Sequence, residues 1–205
     1  MKLLFTLCFA FVSVIGFSQS YEKGMEKAFA LWQEGKATEA SNMFERISAV
    51  ETENWIPLYY VAYVNIIDAF SEKDKTRLQL KLDKAKTSLE KAKQLSPDNV
   101  EILIMEAMHN TAWIAFDGAT YGMKYGAVNT AIYQKATAMA PENPRVALSS
   151  AEWNMGMAQY FGKDTAPYCK DIEKALELFT TFKNETPFYP SWGEGRAKEV
   201  LASCK

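Results

Sequence analysis

Between Phe116 and Ala127 the chain reads FDGATYGMKYGA, with glycines at 118, 122 and 126 and the polar residues Asp117, Thr120 and Lys124 among them. Glycine, threonine and lysine are the parts of a phosphate cradle, in which backbone N–H groups and an ammonium hold the anion. The spacing rejects that use. A Walker loop has four residues between its glycines, followed by Lys and then Ser or Thr. Here three residues separate Gly118 from Gly122, Met123 precedes Lys124, and Tyr125 stands where the hydroxyl belongs. The preceding EILIMEAMHNTAWIAF reads as helix, whereas a cradle follows a strand. The segment is instead expected to be a long connection whose glycines let it reverse direction, with Asp117, Tyr121, Lys124 and Tyr125 as a recognition loop.

Other chemistry is sparse. The single histidine, His109, excludes a zinc site made of several His and leaves a Ser-His-Asp arrangement only one base, with no Gly-x-Ser-x-Gly elbow beside it. His109 reads as a helix residue at a packing seam. A catalytic role would require Asp117, Lys124 and His109 to converge within hydrogen-bond reach. The carboxylates Glu101, Glu106, Glu152, Asp117, Asp164 and Asp171 read as solvated helix faces rather than an acid pair. Neither a cofactor nor a metal is expected, and the chain reads as non-enzymatic.

What must position these residues is a repeat. A small residue followed four places later by a bulky one recurs at Ala40/Phe44, Ala85/Leu89, Asn129/Tyr133 and Ala175/Phe179, at intervals of 45, 44 and 46 residues. Three residues further come Ile47, Ala92, Ala136 and Phe182, so each segment presents a helical i, i+4, i+7 face. Pro97, Pro141 and Pro187 end three of the four, and Asn54, Asn99 and Asn143 follow as candidate N-caps. A second small residue lies upstream in each unit, at Ala28, Ala62, Ala107 and Ala151, as two closely packed helices require.

These residues resemble the tetratricopeptide repeat (TPR). Ala28, Leu31, Gly35, Ala40 and Phe44 fall where its pattern expects them, and LEKAKQLSPDN and YQKATAMAPENP are similar to its helix-B endings. The resemblance implies an all-α fold, an α-solenoid of about four TPR-like hairpins near 21–50, 55–95, 100–140 and 144–184. A capping helix over about 191–204 completes it. Units two to four carry about ten to twelve additional residues between their helices, read as three long loops. The resemblance also implies a concave groove lined by Met25, Phe29 and Trp32; by Tyr59, Tyr63 and Ile66; by Ile104, Met108 and Thr111; and by Leu148, Glu152 and Met155. Such a surface, rich in Met and Tyr, suits varied apolar partners; the same row is equally compatible with ordinary core. It lacks the cations of a carboxylate clamp, only Arg145 being basic nearby.

The N-terminus has the layout of a secretory signal peptide over 1–18: one Lys, an apolar run from Leu3 to Phe17, then small residues. The remaining 19–205 is expected as one helical-repeat domain, exported to the periplasm or secreted. Without Lys2 it carries 22 bases against 25 acids. That mild charge offers no basic stripe for nucleic acid and no polybasic run for lipid, and no stable membrane insertion is expected after cleavage. The expected role is an adaptor or scaffold for an unidentified protein or peptide; the alternative is a small-ligand or lipid carrier with the groove as a closed pocket.

Two cysteines remain, Cys169 and Cys204. If the last two long segments run antiparallel, legs of 14 and 13 residues, roughly 20 Å each, return Cys204 to the level of Cys169. A bridge there would stabilise by roughly 3–4 kcal/mol in the chain-entropy model; two buried free thiols are the other arrangement. Alkylation of the unreduced protein is expected to label neither thiol, and labelling of both would rule the bridge out.

Overall fold

Asparagine starts three of the helices. Asn54, Asn99 and Asn143 hold extended backbone, and their side-chain oxygens accept from the N–H groups of Ile56, Glu101 and Arg145 at 3.0, 2.9 and 2.9 Å. Each cap satisfies a donor that the first helical turn leaves without a partner. The computed structural model describes residues 19–204, so the leader expected over 1–18 lies outside the described residues.

Among the described residues are nine α-helices and no strand. They are α1 (19–33), α2 (Ala37–Val50), α3 (Trp55–Ala69), α4 (Lys75–Leu95), α5 (Val100–Phe116), α6 (Gly118–Met139), α7 (Pro144–Tyr160), α8 (Ala166–Thr181) and α9 (Glu194–Ala202). The chain therefore adopts the expected all-α class of helix hairpins followed by a C-terminal helix. By packing the described residues divide into two compact units, with the boundary between Leu95 and Ser96.

In the first unit α3 packs against both α2 and α4. Its sequence, WIPLYYVAYVNIIDA, is apolar almost all round, and ten of its residues are buried; a helix of that kind belongs inside. Ala28, Ala40, Ala62 and Ala85 are completely buried. Gly35 sits at φ +78° in the α1–α2 turn, a backbone conformation that side-chain-bearing residues rarely adopt.

In the second unit α5 pairs with α6 and α7 with α8, α7 contacts both α5 and α6, and α9 packs on α8. Leu148, Ala151, Ile172, Ala175, Ala197 and Val200 form the core that seats α9. The small position of α6 holds Asn129, and its burial is matched by hydrogen bonds. Asn129 donates to Ala107 O and Thr111 Oγ1 at 3.0 and 3.1 Å and accepts from Asn110 at 2.9 Å. The Cys169–Cys204 disulfide is present, tying the first turn of α8 to the residues after α9. Gly193, at φ +114°, leads into α9; a Cβ there would lie 2.6 Å from Phe179.

The second unit contains a buried ion pair. Arg145 Nη2 and Nε donate to the two oxygens of Glu101 at 2.7 and 2.8 Å, and both side chains are shut off from water. Asn143 Nδ2 gives Glu101 a third bond at 2.7 Å. The guanidinium lies against the rings of Phe182 and Tyr189, 4.7 and 5.6 Å from their centroids. Burial, then the Glu101 charge, pushes the Tyr189 hydroxyl well above the usual tyrosine range.

The three long loops expected between paired helices are absent. Only Asp117 separates α5 from α6, and the α3–α4 and α7–α8 connections span 70–74 and 161–165. The additional residues lengthen helices: α2 has 14 residues, whereas α4 and α6 have 21 and 22. FDGATYGMKYGA is helical because its four-residue glycine spacing is close to one α-helical turn, and because Asp117 caps α6 by accepting from Thr120 N–H at 3.1 Å. The recognition loop at Asp117, Tyr121, Lys124 and Tyr125 is therefore a cap and two turns of helix.

Arg145→Met, which strands Glu101 in the interior, is expected to lower stability by about 3–5 kcal/mol in urea unfolding, whereas replacing both partners by apolar residues of similar volume costs far less. A Cβ at Gly122 or Gly126 would meet nothing within 4 Å. Gly122→Ala and Gly126→Ala are each expected to stabilise by roughly 0.5–1 kcal/mol, seen as a higher midpoint in the same experiment.

Candidate functional site

The apolar rows of the first helices in each pair divide between core and surface. In the first unit Met25, Tyr59 and Ile66 are completely buried. Phe29, Trp32 and Tyr63 keep part of their surface exposed. They belong to an aromatic ladder: Trp32 meets Tyr63 edge-on at 5.1 Å, and Phe29 meets Tyr60 and Phe44 edge-on at 4.7 and 5.2 Å. Edge-to-face pairs of this kind add about 0.5–1.5 kcal/mol beyond area burial and fix ring orientation. The ladder presents a rigid aromatic surface on α1 and α3.

In the second unit Ile104 and Leu148 are completely buried, and Met108, Thr111, Glu152 and Met155 are half-buried. Two of these have polar partners. Thr111 receives the Asn129 amide, and Glu152 accepts from Arg196 Nε of α9 at 2.8 Å. Tyr133, buried beneath them, has its hydroxyl pushed well above the usual range by burial and then by the Glu152 charge.

The start of α6 presents two partly exposed tyrosines. Tyr121 packs on Trp113 of α5 at 4.8 Å and stacks on Tyr125 at 6.1 Å with the rings 18° apart. The Lys124 ammonium sits 4.9 Å from the Tyr125 centroid, a cation–π contact. Met123 is 93% exposed. Gly118, Gly122 and Gly126 share one side of the helix and leave open space before its backbone. That side of the helix thus carries no side chains at three positions, beside Tyr121, Tyr125 and the Lys124 ammonium. At the end of α7, Tyr160 and Phe161 are 76% and 60% exposed and meet edge-on.

The three candidates for catalysis do other work. His109 is 9% exposed, and its Nδ1 lies 3.4 Å from Asn110 Oδ1. Asp117, eight residues further along, is displaced by roughly 12 Å along the helix axis and caps α6. Lys124 faces a ring. Among the described residues no group of three His, Cys, Asp or Glu side chains is arranged to hold a metal ion, and no helix is long and apolar enough to cross a membrane.

Trp113 and Met123 did not stand out in the sequence. Trp113 precedes Tyr121 by eight residues across a break between helices, and the exposure of Met123 depends on α6 starting at Gly118. The signal was the coincident four-residue spacing of the glycines and of Tyr121 and Tyr125.

No family model matches this sequence, and no curated protein does either. Among solved structures the chain is similar to TTC0263, a thermophilic TPR protein from Thermus thermophilus, with 13% identity, a TM-score of 0.41, and 90% of this chain and 98% of that one covered. It is also similar to the HusA haemophore from Porphyromonas gingivalis, with 26% identity, a TM-score of 0.78, and coverage of 90% of this chain and 92% of that one.

Proposed function

We propose that the protein is an exported, non-catalytic carrier of a flat apolar ligand of the porphyrin class, held against the start of α6. The observation that carries this reading is the backbone similarity to a haemophore along nine-tenths of both chains. Local chemistry supports it. Tyr121 and Tyr125 offer stacked rings backed by the buried Trp113, the glycine side of α6 allows close approach of a plane, and Lys124 can meet a peripheral carboxylate. A ligand iron would find a tyrosine oxygen or the Met123 sulfur here, both known haem donors, whereas His109 is buried. The Cys169–Cys204 bridge favours an oxidising compartment, in keeping with export.

Protein or peptide binding is the second reading, favoured by the half-exposed ladder of Phe29, Trp32 and Tyr63. Titration with hemin and with iron-free protoporphyrin, read by the porphyrin absorbance band and by tryptophan quenching, separates the two. Saturable one-to-one binding is expected. Tyr121→Ala and Met123→Glu are each expected to weaken it about tenfold or more, and His109→Ala to leave the spectrum unchanged. Absence of saturation for both tetrapyrroles, with one envelope protein recovered stoichiometrically on the tagged chain, would replace the carrier by the adaptor.

A further inference from the structure

In the first unit α2, α3 and α4 leave a cleft of about 330 Å³ between them. Its floor is Val64, 1% exposed, and its rim is Leu80, 66% exposed. Leu80 is a large apolar side chain standing in water beside three cations. Arg77, Lys81 and Lys84 follow one another at i, i+4 and i+7 and so share a face of α4, and all three line the cleft. Asp68 is the one carboxylate in the lining, and it pairs with Lys81 at 2.9 Å. The remaining acids that hold these cations stand outside it. Glu72 pairs with Arg77 and Lys81, both at 3.1 Å, and Glu45 pairs with Lys84 at 2.9 Å. Glu72 is firmly ionised: the Asp74 backbone N–H, then Lys81, hold its carboxyl at about 2. Polar groups of the other walls converge on the same space. Asn65 Nδ2 donates to Ser41 Oγ at 2.7 Å, and Lys84 Nζ donates to Asn42 Oδ1 at 2.9 Å.

A mostly apolar hollow with a few convergent polar groups is the usual form of a small-ligand site. This one adds a positive lining. With liquid water occupying about 30 Å³ per molecule, the cleft has room for roughly ten heavy atoms. That is far too small for a tetrapyrrole and right for a medium-chain acid. We propose that the cleft binds a small amphiphilic carboxylate, with the head group among Arg77, Lys81 and Lys84 and the apolar chain between Val64 and Leu80. A carboxylate accepts charge-assisted hydrogen bonds from such donors at about twice the strength of neutral ones. The head group would share Lys81 with Asp68 and Glu72 and Arg77 with Glu72, and would displace Lys84 from Glu45, a surface pair worth at most about 1 kcal/mol. The proposal is independent of the porphyrin reading, since all of its residues lie on α2, α3 and α4.

The test is a backbone amide NMR titration of the mature chain with octanoate, and with octanol as the uncharged comparison. Saturable shifts are expected around Ser41, Val64 and Leu80, with octanol at least about tenfold weaker. Leu80→Glu places a carboxylate at the rim without disturbing the core and is expected to abolish binding while leaving the unfolding midpoint unchanged. Lys84→Gln is expected to weaken octanoate about tenfold and octanol little. Octanol binding as tightly as octanoate would overturn the anion site. Unaltered affinity in Leu80→Glu, shifts centred elsewhere, or no saturation would overturn the cleft as the location.

Discussion

The second unit depends on one buried contact between α5 and α7. Glu101 and Arg145 each occupy the second helical position after a capping asparagine, and they meet bidentately in the absence of water. A carboxylate there is favoured by the helix dipole, and a guanidinium is not. The pair is therefore asymmetric: α5 would keep its acid alone more easily than α7 would keep its base. The third hydrogen bond from Asn143 and the rings of Phe182 and Tyr189 complete the cation's surroundings. Through those two rings the residues after α8 are drawn over the same spot. One charge pair thus fixes the starts of two helices and the course of the chain toward α9.

That arrangement leaves little apolar surface uncommitted. Ten of the fifteen residues of α3 and nine of the seventeen of α5 are consumed by packing, and several of the most exposed apolar side chains stand near helix starts and ends. Met123, Tyr160 and Phe161 are of this kind, and so is the tyrosine pair of α6. The carrier proposed above would hold its ligand on a rigid helical surface rather than in an internal cavity. Rigidity lowers the entropy lost on binding, and an open surface allows release without a lid.

Much of the architecture was legible from residues acting locally. The asparagine caps, the alanines at close helix contacts and the prolines after α4 and α6 each state a backbone requirement that neighbours do not override. The start of α6 was misread because glycine was weighed as a breaker, although its spacing was helical; packing of α6 on α5, added to the N-cap and the tyrosine pair at i, i+4, outweighs propensities of about 1 kcal/mol per glycine. The part played by Arg145 was not legible either. In the sequence it is a lone base near an apolar row, and its partner lies 44 residues away. The cleft of the first unit was hidden for a related reason: Leu80 sits off the buried face of α4, and only the placement of α2 and α3 gives it a neighbourhood.

The Glu101–Arg145 separation of 44 residues recurs in Glu152–Arg196. Arg196 belongs to α9, so the short last helix answers α7 as α7 answers α5. The two pairs differ in place and burial: Glu101 and Arg145 each stand second in their helices and are buried, whereas Glu152 lies midway along α7 and its pair with Arg196 is partly exposed. Repeat arrays commonly grow or shrink by duplicating a hairpin. Duplicating α5 and α6 here would set two carboxylates against each other in a dry interior, and duplicating α7 and α8 would oppose two guanidiniums. Copying either hairpin of the second unit therefore demands a compensating change at the second position of the copied helix, a constraint set by the one buried pair.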